Sequence, residues 1–331
     1  MSSEQRTKSN GLLLLKKNPG LTSFESLNIV KKALSTRKVG HTGTLDKFAS
    51  GILLVLVGQA GKLASLFSYC KKEYEGRIRF GIETDTLDPE GKIIREAEIP
   101  SREAVEAVLK DFRGEILQAP PAYSAIHIDG VRAHELTRQG KTPEMKKRTV
   151  SIYELELLSW EPPFACIRVC CSAGTYIRSL ARDIALAAGS CAHLDTLVRT
   201  RIGGFSLSEA FDPEIVESGS EIAQAVVSSL RPITPDIFTA LELPYVYISE
   251  EQVRAVGHGQ DLQGNVLGIL VKGLPQASAA GLFGHINGKE ELAAVLERKD
   301  GKWCYGHVFA DVAFSKRISH GGTEARREKE K

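Results

Sequence analysis

Residues 39–57 constrain the fold of this 331-residue chain more than any other stretch. The run Ile52–Val57 is wholly apolar, rich in β-branched residues and followed by Gly58, which predicts a buried strand. Before it lies a polar loop with three glycines, two threonines, His41 and a single carboxylate, Asp46. Catalytic groups often occupy loops that are anchored on rigid elements, so Asp46 is a candidate catalytic residue. The alternative is an aspartate that only stabilises a turn.

The distribution of charge points to a polyanionic partner. The formal net charge is only +2, which by itself does not indicate nucleic acid. Residues 1–72, however, contain twelve lysines and arginines and only three acidic residues, so the basic excess surrounds the Asp46 loop. Such an excess favours binding of a polyanion. Its alternative is an ordinary solvated surface.

Neither a disulfide framework nor a metal site is indicated. The six cysteines include no Cys-x-x-Cys pair, and free thiols suggest a reducing compartment. Asp85 and Asp88 belong to an acidic turn without further ligands at a metal-binding spacing, so we expect a solvated loop there. The apolar run Leu12–Leu15 is too short for a signal sequence or a membrane span, which favours a cytoplasmic protein.

Alternating and helical patterns predict most other elements. Residues 72–81 alternate, with Tyr74, Ile78 and Phe80 on one face, as expected for a half-buried strand. Thr22 and Glu25 have capping-box spacing, so a helix should begin at Ser23. Further strands are predicted at 11–15, 150–157 and 165–171, and further helices at 62–67, 101–112 and from about residue 178.

The chain changes character after Pro244. Short apolar stretches separated by glycine-rich turns predict a small β-rich domain. The ends of the chain, residues 1–10 and 316–331, are polar or charged and are expected to be disordered. The short C-terminal strands are predicted at 246–248, 266–271, 284–286, 293–298 and 303–309.

The loop Gly40-His41-Thr42-Gly43-Thr44-Leu45-Asp46, with Ala49-Ser50-Gly51, resembles the signature loop of the TruB-type tRNA pseudouridine synthases. Matching segments occur in the same order along residues 11–205. They are the run from Lys17 to Ser23, the strand with Tyr74, the segment Pro120–Ala125, the segment Cys171–Arg178 and the segment Ala192–Gly203. The chain departs from the family at Lys47 and Phe48, where Pro-Leu is usual, and at His127 and Val198, where Lys and Arg are usual. Lysine at 47 does not restrict φ as proline would, so the resemblance does not extend to the rigidity of the loop.

The resemblance implies roles for individual residues. Asp46 would be the catalytic carboxylate, Tyr74 would stack on the target uracil, and Arg178 would pair with Asp46, with Arg182 as a rival partner. Residues implied to line the site or contact RNA are His41, Leu197, Lys17, Lys62, Arg132 and Arg199. The segment 124–150 would be an insertion that grips the RNA, or else a charged surface hairpin.

The resemblance also implies a fold and an activity. We expect an α+β catalytic domain over residues 11–243, with a large, mainly antiparallel sheet flanked by helices, and a small PUA-like β domain over 244–315. The expected reaction is isomerisation of uridine 55 in the T loop of tRNA by a monomer that needs no guide RNA, cofactor or metal. The alternatives are an RNA chaperone without turnover and a guide-dependent synthase. A phosphatase is disfavoured because Thr44-Leu45-Asp46 lacks the Asp-x-Asp order.

Overall fold

A computed structural model describes residues 10–124, 127–128, 131–132, 145–216, 219–260, 278–286, 289–300 and 302–309. The chain forms two compact units. The larger unit comprises Leu13–Leu56 and Phe67–Leu230, and the smaller unit comprises Met1–Leu12, Val57–Leu66 and Arg231–Lys331. The terminal tails and the predicted strand at 266–271 lie outside the described residues. Among the described residues, no helix combines the length and apolar character needed to cross a membrane.

The secondary structure comprises seventeen strands and seven α-helices in the described ranges. The strands are β1 (Gly11–Lys17), β2 (Val39–His41), β3 (Ser50–Val57), β4 (Lys72–Phe80), β5 (Ile82–Thr84), β6 (Ile93–Glu96), β7 (Gly114–Gln118), β8 (His127–Ile128), β9 (Val131–Arg132), β10 (Arg148–Glu161), β11 (Phe164–Cys171), β12 (Ala192–Ile202), β13 (Phe205–Ser206), β14 (Tyr245–Tyr247), β15 (Ala279–Ile286), β16 (Lys289–Lys299) and β17 (Lys302–Val308). The helices are α1 (Ser23–Ala33), α2 (Ala64–Ser68), α3 (Arg102–Leu109), α4 (Ile177–Ala187), α5 (Gly219–Ser229), α6 (Pro235–Ala240) and α7 (Glu250–Gly257).

A nine-stranded sheet organises the larger unit. Its main path runs β1-β3-β12-β4-β11-β10-β7, with β2 paired to β3 and β13 paired to β12. The pairs from β12 through β4, β11 and β10 to β7 are antiparallel, whereas β3 and β12 are parallel. With helices packed on it, this sheet confirms the expected α+β class and the mainly antiparallel arrangement.

The core of the sheet follows from the sequence pattern. All of Ile52–Val57 is buried, as expected for a strand covered on both faces. On β4 the residues Tyr74, Ile78 and Phe80 are buried, while Glu75 and Arg77 on the other face are exposed. Helix α4 packs against β12, and α1 packs against α5. The capping box predicted from Thr22 and Glu25 is present at the start of α1.

Strand β12 lies inside the sheet, between β3 and β4, and was not predicted as a strand. Two irregularities in its pairing with β4, between Leu194 and Thr196 and between Arg199 and Arg201, shift the phase of the side chains. A bulge places two residues opposite one, so the two-residue alternation that marks a strand is interrupted. This explains why the sequence pattern did not show it.

The smaller unit contains a four-stranded sheet in the order β14-β15-β16-β17. Its core joins α7 to this sheet through Val253, Val256, Leu282 and Leu296, among others. The C-terminal segment of this unit begins at Arg231, before the predicted boundary at 244, because α6 belongs to it: the Phe238 ring meets the edge of the Phe283 ring at a centroid distance of 5.3 Å. The sheet matches the small β-rich domain expected at this end of the chain.

We predict that Gly51→Ala destabilises the protein by about 2 kcal/mol or more. Gly51 has φ +120°, and a Cβ there would lie 2.4 Å from the main-chain N and O of Arg199 on β12. The measurement is the free energy of unfolding in urea. Gly40→Ala is the matched control, because Gly40 lies nearby in the chain with nothing within 4 Å of an added Cβ. Equal effects of the two substitutions would contradict this account.

Candidate active site

Asp46 lies in a tight turn between β2 and β3. Its carbonyl accepts a hydrogen bond from Ala49 N at 3.2 Å, which closes a four-residue turn. Next to it, the Leu45 main chain is clamped by the buried hydroxyl of Ser23, which accepts from Leu45 N at 2.8 Å and donates to Leu45 O at 3.1 Å. The side chain of Asp46 is 36% exposed. The turn therefore presents one carboxylate to solvent from a fixed backbone.

Arg178 orients this carboxylate from the first turn of α4. Arg178 Nη2 donates to Asp46 Oδ1 at 3.0 Å. Arg178 Nε lies 2.9 Å from Asp46 Oδ2, without the alignment of a hydrogen bond. The arginine side chain is only 5% exposed, so the contact is a charge-assisted pair on the protein side of the carboxylate. The expected pairing is thus present, while the rival Arg182 contacts Asp183 and the carbonyl of Ala119 instead.

A second carboxylate, Asp88, holds the other side of Arg178. Arg178 Nη1 lies 3.2 Å from Asp88 Oδ2 and donates to Thr86 O at 2.7 Å. The Asp88 side chain is 7% exposed, and its Oδ1 accepts from the Thr86 hydroxyl at 2.6 Å. The prediction of a solvated acidic turn was wrong for Asp88. A buried guanidinium needs paired acceptors, and this turn supplies them. The sequence carried no signal for the pairing beyond an aspartate next to proline.

Two buried cationic side chains donate hydrogen bonds to the main chain of the Asp46 loop and the start of β3. Lys17 donates to the carbonyls of Ala49 at 2.5 Å and Lys47 at 3.2 Å. Arg199 donates to Ile52 O at 2.8 Å and to Gly43 O at 3.1 Å. Both side chains are buried, although the resemblance implied that they contact RNA. Because burial removes them from solvent, they act as supports of the loop.

His41 is the last residue of β2, directly before the loop, and Tyr74 lies on β4 opposite Arg199 of β12. Burial raises the pKa of the Tyr74 phenol, which counters a smaller opposite effect of Arg199, so the phenol stays protonated at neutral pH. Burial, followed by the charge of Arg199, lowers the pKa of His41, so its imidazole is neutral at pH 7. His41 Nδ1 is buried and has no hydrogen-bond partner among the described residues.

The three remaining residues that were predicted to line the site or contact RNA lie in different parts of the chain. Leu197 lies on β12, is buried and pairs with Gly76 of β4. Lys62 belongs to the smaller unit and is exposed there, with its ammonium 5.5 Å from the centre of the Phe309 ring. The backbone of Arg132 lies in β9, but its side chain is outside what the structure describes, as is most of the predicted insertion at 124–150.

The arrangement can perform chemistry that needs one oriented carboxylate. Asp46 is solvent-accessible, held by a buried guanidinium and placed on a braced loop, with the protonated Tyr74 phenol within electrostatic range. A carboxylate in this setting can act as a nucleophile or as a general base on a bound ligand.

Comparison with known proteins defines the class. Residues 31–177 match the model of the TruB family pseudouridylate synthases (N terminal domain). The fold and the loop place the chain among the pseudouridine synthases. Within that class, it belongs to the TruB family. The structure of a Cbf5-Nop10-Gar1 complex shares the fold, with a TM-score of 0.65 and 24% identity over 95% of this chain and 89% of that chain.

Several curated relatives are named tRNA pseudouridine synthase B. The protein of Borrelia garinii is 48% identical over 230 residues, which cover 69% of this chain and 82% of the relative. That of Francisella tularensis is 46% identical over 245 residues, covering 72% and 81%. That of Treponema pallidum is 45% identical over 215 residues, covering 58% and 59%.

We predict that the stability of the protein depends on pH through Lys17. Burial lowers the pKa of Lys17 from 10.5 to about 8, against the opposing charge of Asp46. Between these pH values the unfolded chain holds a proton that the folded chain has lost, so folding stability rises with pH, by about 1 kcal/mol per pH unit at most. The measurement is the free energy of unfolding of the wild type minus that of Lys17→Met from pH 7 to about 10.5.

The control for this prediction is Lys32→Met, which removes an exposed lysine from α1. We expect the difference between the wild type and Lys17→Met to grow above pH 8 and to be constant below it. A difference that stays flat over the whole range would mean that Lys17 keeps its proton in the folded protein.

Proposed function

We propose that this protein converts uridine 55 in the T loop of tRNA into pseudouridine, without a guide RNA. The observation that carries the proposal is the solvent-accessible carboxylate of Asp46, paired with the buried Arg178 on a braced loop. Membership of the TruB family supports the reaction. The names of the curated relatives support tRNA as the substrate.

The reaction is an isomerisation and needs no external oxidant or group donor. The bond between uracil N1 and ribose C1′ breaks, the base rotates, and C5 bonds to C1′. N1 then carries a proton and C5 gives up its own, so the atoms balance. Asp46 acts on the ribose, as a nucleophile at C1′ or as a base at C2′, and both roles need the carboxylate ionised. Arg178 keeps this carboxylate oriented towards the ribose through all steps of the reaction.

The target base must leave its stack before the carboxylate can reach the sugar, which costs a few kcal/mol. We assign the flipped uracil to a pocket formed by Tyr74 and Leu197, where the aromatic ring offers a stacking face. The protonated phenol can also pass a proton during release of the product. We assign His41, as a neutral imidazole, to contacts that hold the opened T loop.

Other parts of the chain would bind the remainder of the RNA. We propose that the insertion at 124–150, with Arg132, grips the T stem, and that the sheet of the smaller unit is a PUA-like RNA-binding module, to which Lys62 adds an exposed cation. The protein would work as a monomer in the cytoplasm. These assignments rest on the family and on the β-rich architecture of the smaller unit.

We predict that the purified chain alone modifies an unmodified tRNA transcript at position 55 and that Asp46→Asn abolishes this. Asparagine keeps the shape of the side chain but supplies neither a nucleophilic carboxylate nor a base. The measurement maps pseudouridine at single-nucleotide resolution in both reactions. Binding of tRNA by Asp46→Asn is the control, and it should stay within a few-fold of the wild type. Tight binding by the wild type without product would favour an RNA chaperone and contradict the proposed enzymatic activity.

We predict that Asp88→Asn lowers kcat by about tenfold or more and changes KM little. Asparagine fills the same space and can still accept from Arg178, but it removes the charge that fixes one side of the guanidinium. Loss of that anchor lets the guanidinium reorient, and a small misplacement of a catalytic group is costly. The measurement is the rate of pseudouridine formation at saturating tRNA. Asp85→Asn in the same turn is the matched control, and an equal loss there would argue against the role of Asp88.

A further inference from the structure

Lys47 follows Asp46 directly and is the one lysine or arginine in residues 39–51. It occupies the second position of the turn that the bond from Ala49 N to Asp46 O closes. Its carbonyl accepts from Gly20 N at 2.8 Å and from Lys17 Nζ at 3.2 Å. The backbone of Lys47 is therefore held from the protein side, while its side chain is exposed.

Lys47 forms no ion pair with any residue that the structure describes. In the described part of the chain, no carboxylate oxygen lies within 4 Å of its ammonium. Glu25 lies within electrostatic range. The Oε2 atom of Glu25, however, accepts from both the N and the hydroxyl of Thr22, and thereby caps α1. Within the described residues, Lys47 is thus an exposed cation without an ion-pair partner, at the edge of the candidate active site.

The net charge of the site indicates a role for this cation in binding RNA. Asp46, Arg178 and Asp88 together carry one net negative charge, and the most exposed of the three is Asp46. Two cations that contact the loop, Lys17 and Arg199, are buried and donate to carbonyl oxygens. An RNA strand that brings a ribose to Asp46 also brings phosphates close to an exposed carboxylate. An exposed ammonium next to that carboxylate would offset the repulsion.

We propose that Lys47 forms an ion pair with a backbone phosphate of the substrate RNA beside the target uridine, and so contributes to binding rather than to the chemical step. This assignment rests on the proposed function. It makes Lys47 a residue that positions the RNA strand over the loop. The sequence has lysine where the resemblance implies proline, so this contact would be a feature of this chain.

The test measures the dissociation constant for unmodified tRNA between about 50 and 200 mM salt, in an Asp46→Asn background that prevents turnover. Loss of one phosphate contact should reduce the slope of log K against log salt by about 0.7 and weaken binding about fivefold at ~0.1 M salt. We expect this for Lys47→Gln. Lys47→Arg should bind like the parent, since it keeps the charge.

Two further variants separate charge from other effects. Lys47→Pro stiffens the turn and removes the charge, and we expect the same reduced slope as for Lys47→Gln. Lys110→Gln removes an exposed lysine from the short helical turn Lys110–Phe112, which packs on β10, three strands away from β12, and it should leave the slope unchanged. In the active protein, Lys47→Gln should raise KM and leave kcat at saturating tRNA unchanged.

Each outcome decides the inference. An unchanged slope for Lys47→Gln, or an equal change for Lys110→Gln, would overturn the phosphate contact even while the wild type forms pseudouridine at position 55. If Lys47→Pro bound tRNA like the parent, the phosphate contact would also be overturned, because the rigidity of the turn and not the charge at 47 would then determine binding. Absence of pseudouridine with the wild type would overturn the proposed function and with it the placement of this phosphate.

Discussion

Burial of the Arg178 guanidinium is the constraint on which the site depends. A charged group with 5% of its side chain exposed must find acceptors for its donors, since an unpaired buried charge costs several kcal/mol. Its acceptors come from three separate segments: Asp46, the turn with Thr86 and Asp88, and the carbonyl of Tyr123. One guanidinium therefore ties α4 to three loops. The orientation of the exposed carboxylate follows from this, because its protein-facing side is already occupied.

The loop that carries Asp46 is stabilised by a second device of a different kind. Lys17 and Arg199 direct their charges at carbonyl oxygens, so they satisfy main-chain acceptors without taking up the carboxylate. Arg199 can do this only because β12 passes very close to β3 at Gly51, where a Cβ would collide with the Arg199 backbone. The glycine at the end of the signature loop is thus required by strand packing, while the carboxylate in the middle of the loop is left available for chemistry.

The sequence predicted β4 and α1, whose side chains keep one period because one face is buried, and β3, whose unbroken apolar run marks a strand that is buried on both faces. It could not predict β12, whose bulges interrupt the alternation, or the pairing of Asp88 with Arg178, which is distant in sequence. Resemblance identified Arg178 as the partner of Asp46, because no local pattern links two residues so far apart in the sequence. Resemblance also implied RNA contacts for Lys17 and Arg199, because a motif shows that a cation is needed and does not show which acceptors it meets.

At the Asp46 turn, hydrogen bonds from distant residues provide the rigidity that a proline would have provided locally. Proline at position 47 would restrict φ directly, so a lysine there predicts a looser loop. In the structure, the Lys47 carbonyl receives one bond from the Gly20 main chain and one from the Lys17 ammonium, and the turn is closed by Ala49 N. Three hydrogen bonds from neighbouring groups fix the backbone that proline would have fixed by its ring. Because rigidity no longer depends on the side chain at 47, this position can carry a charge at the edge of the site without loosening the catalytic turn.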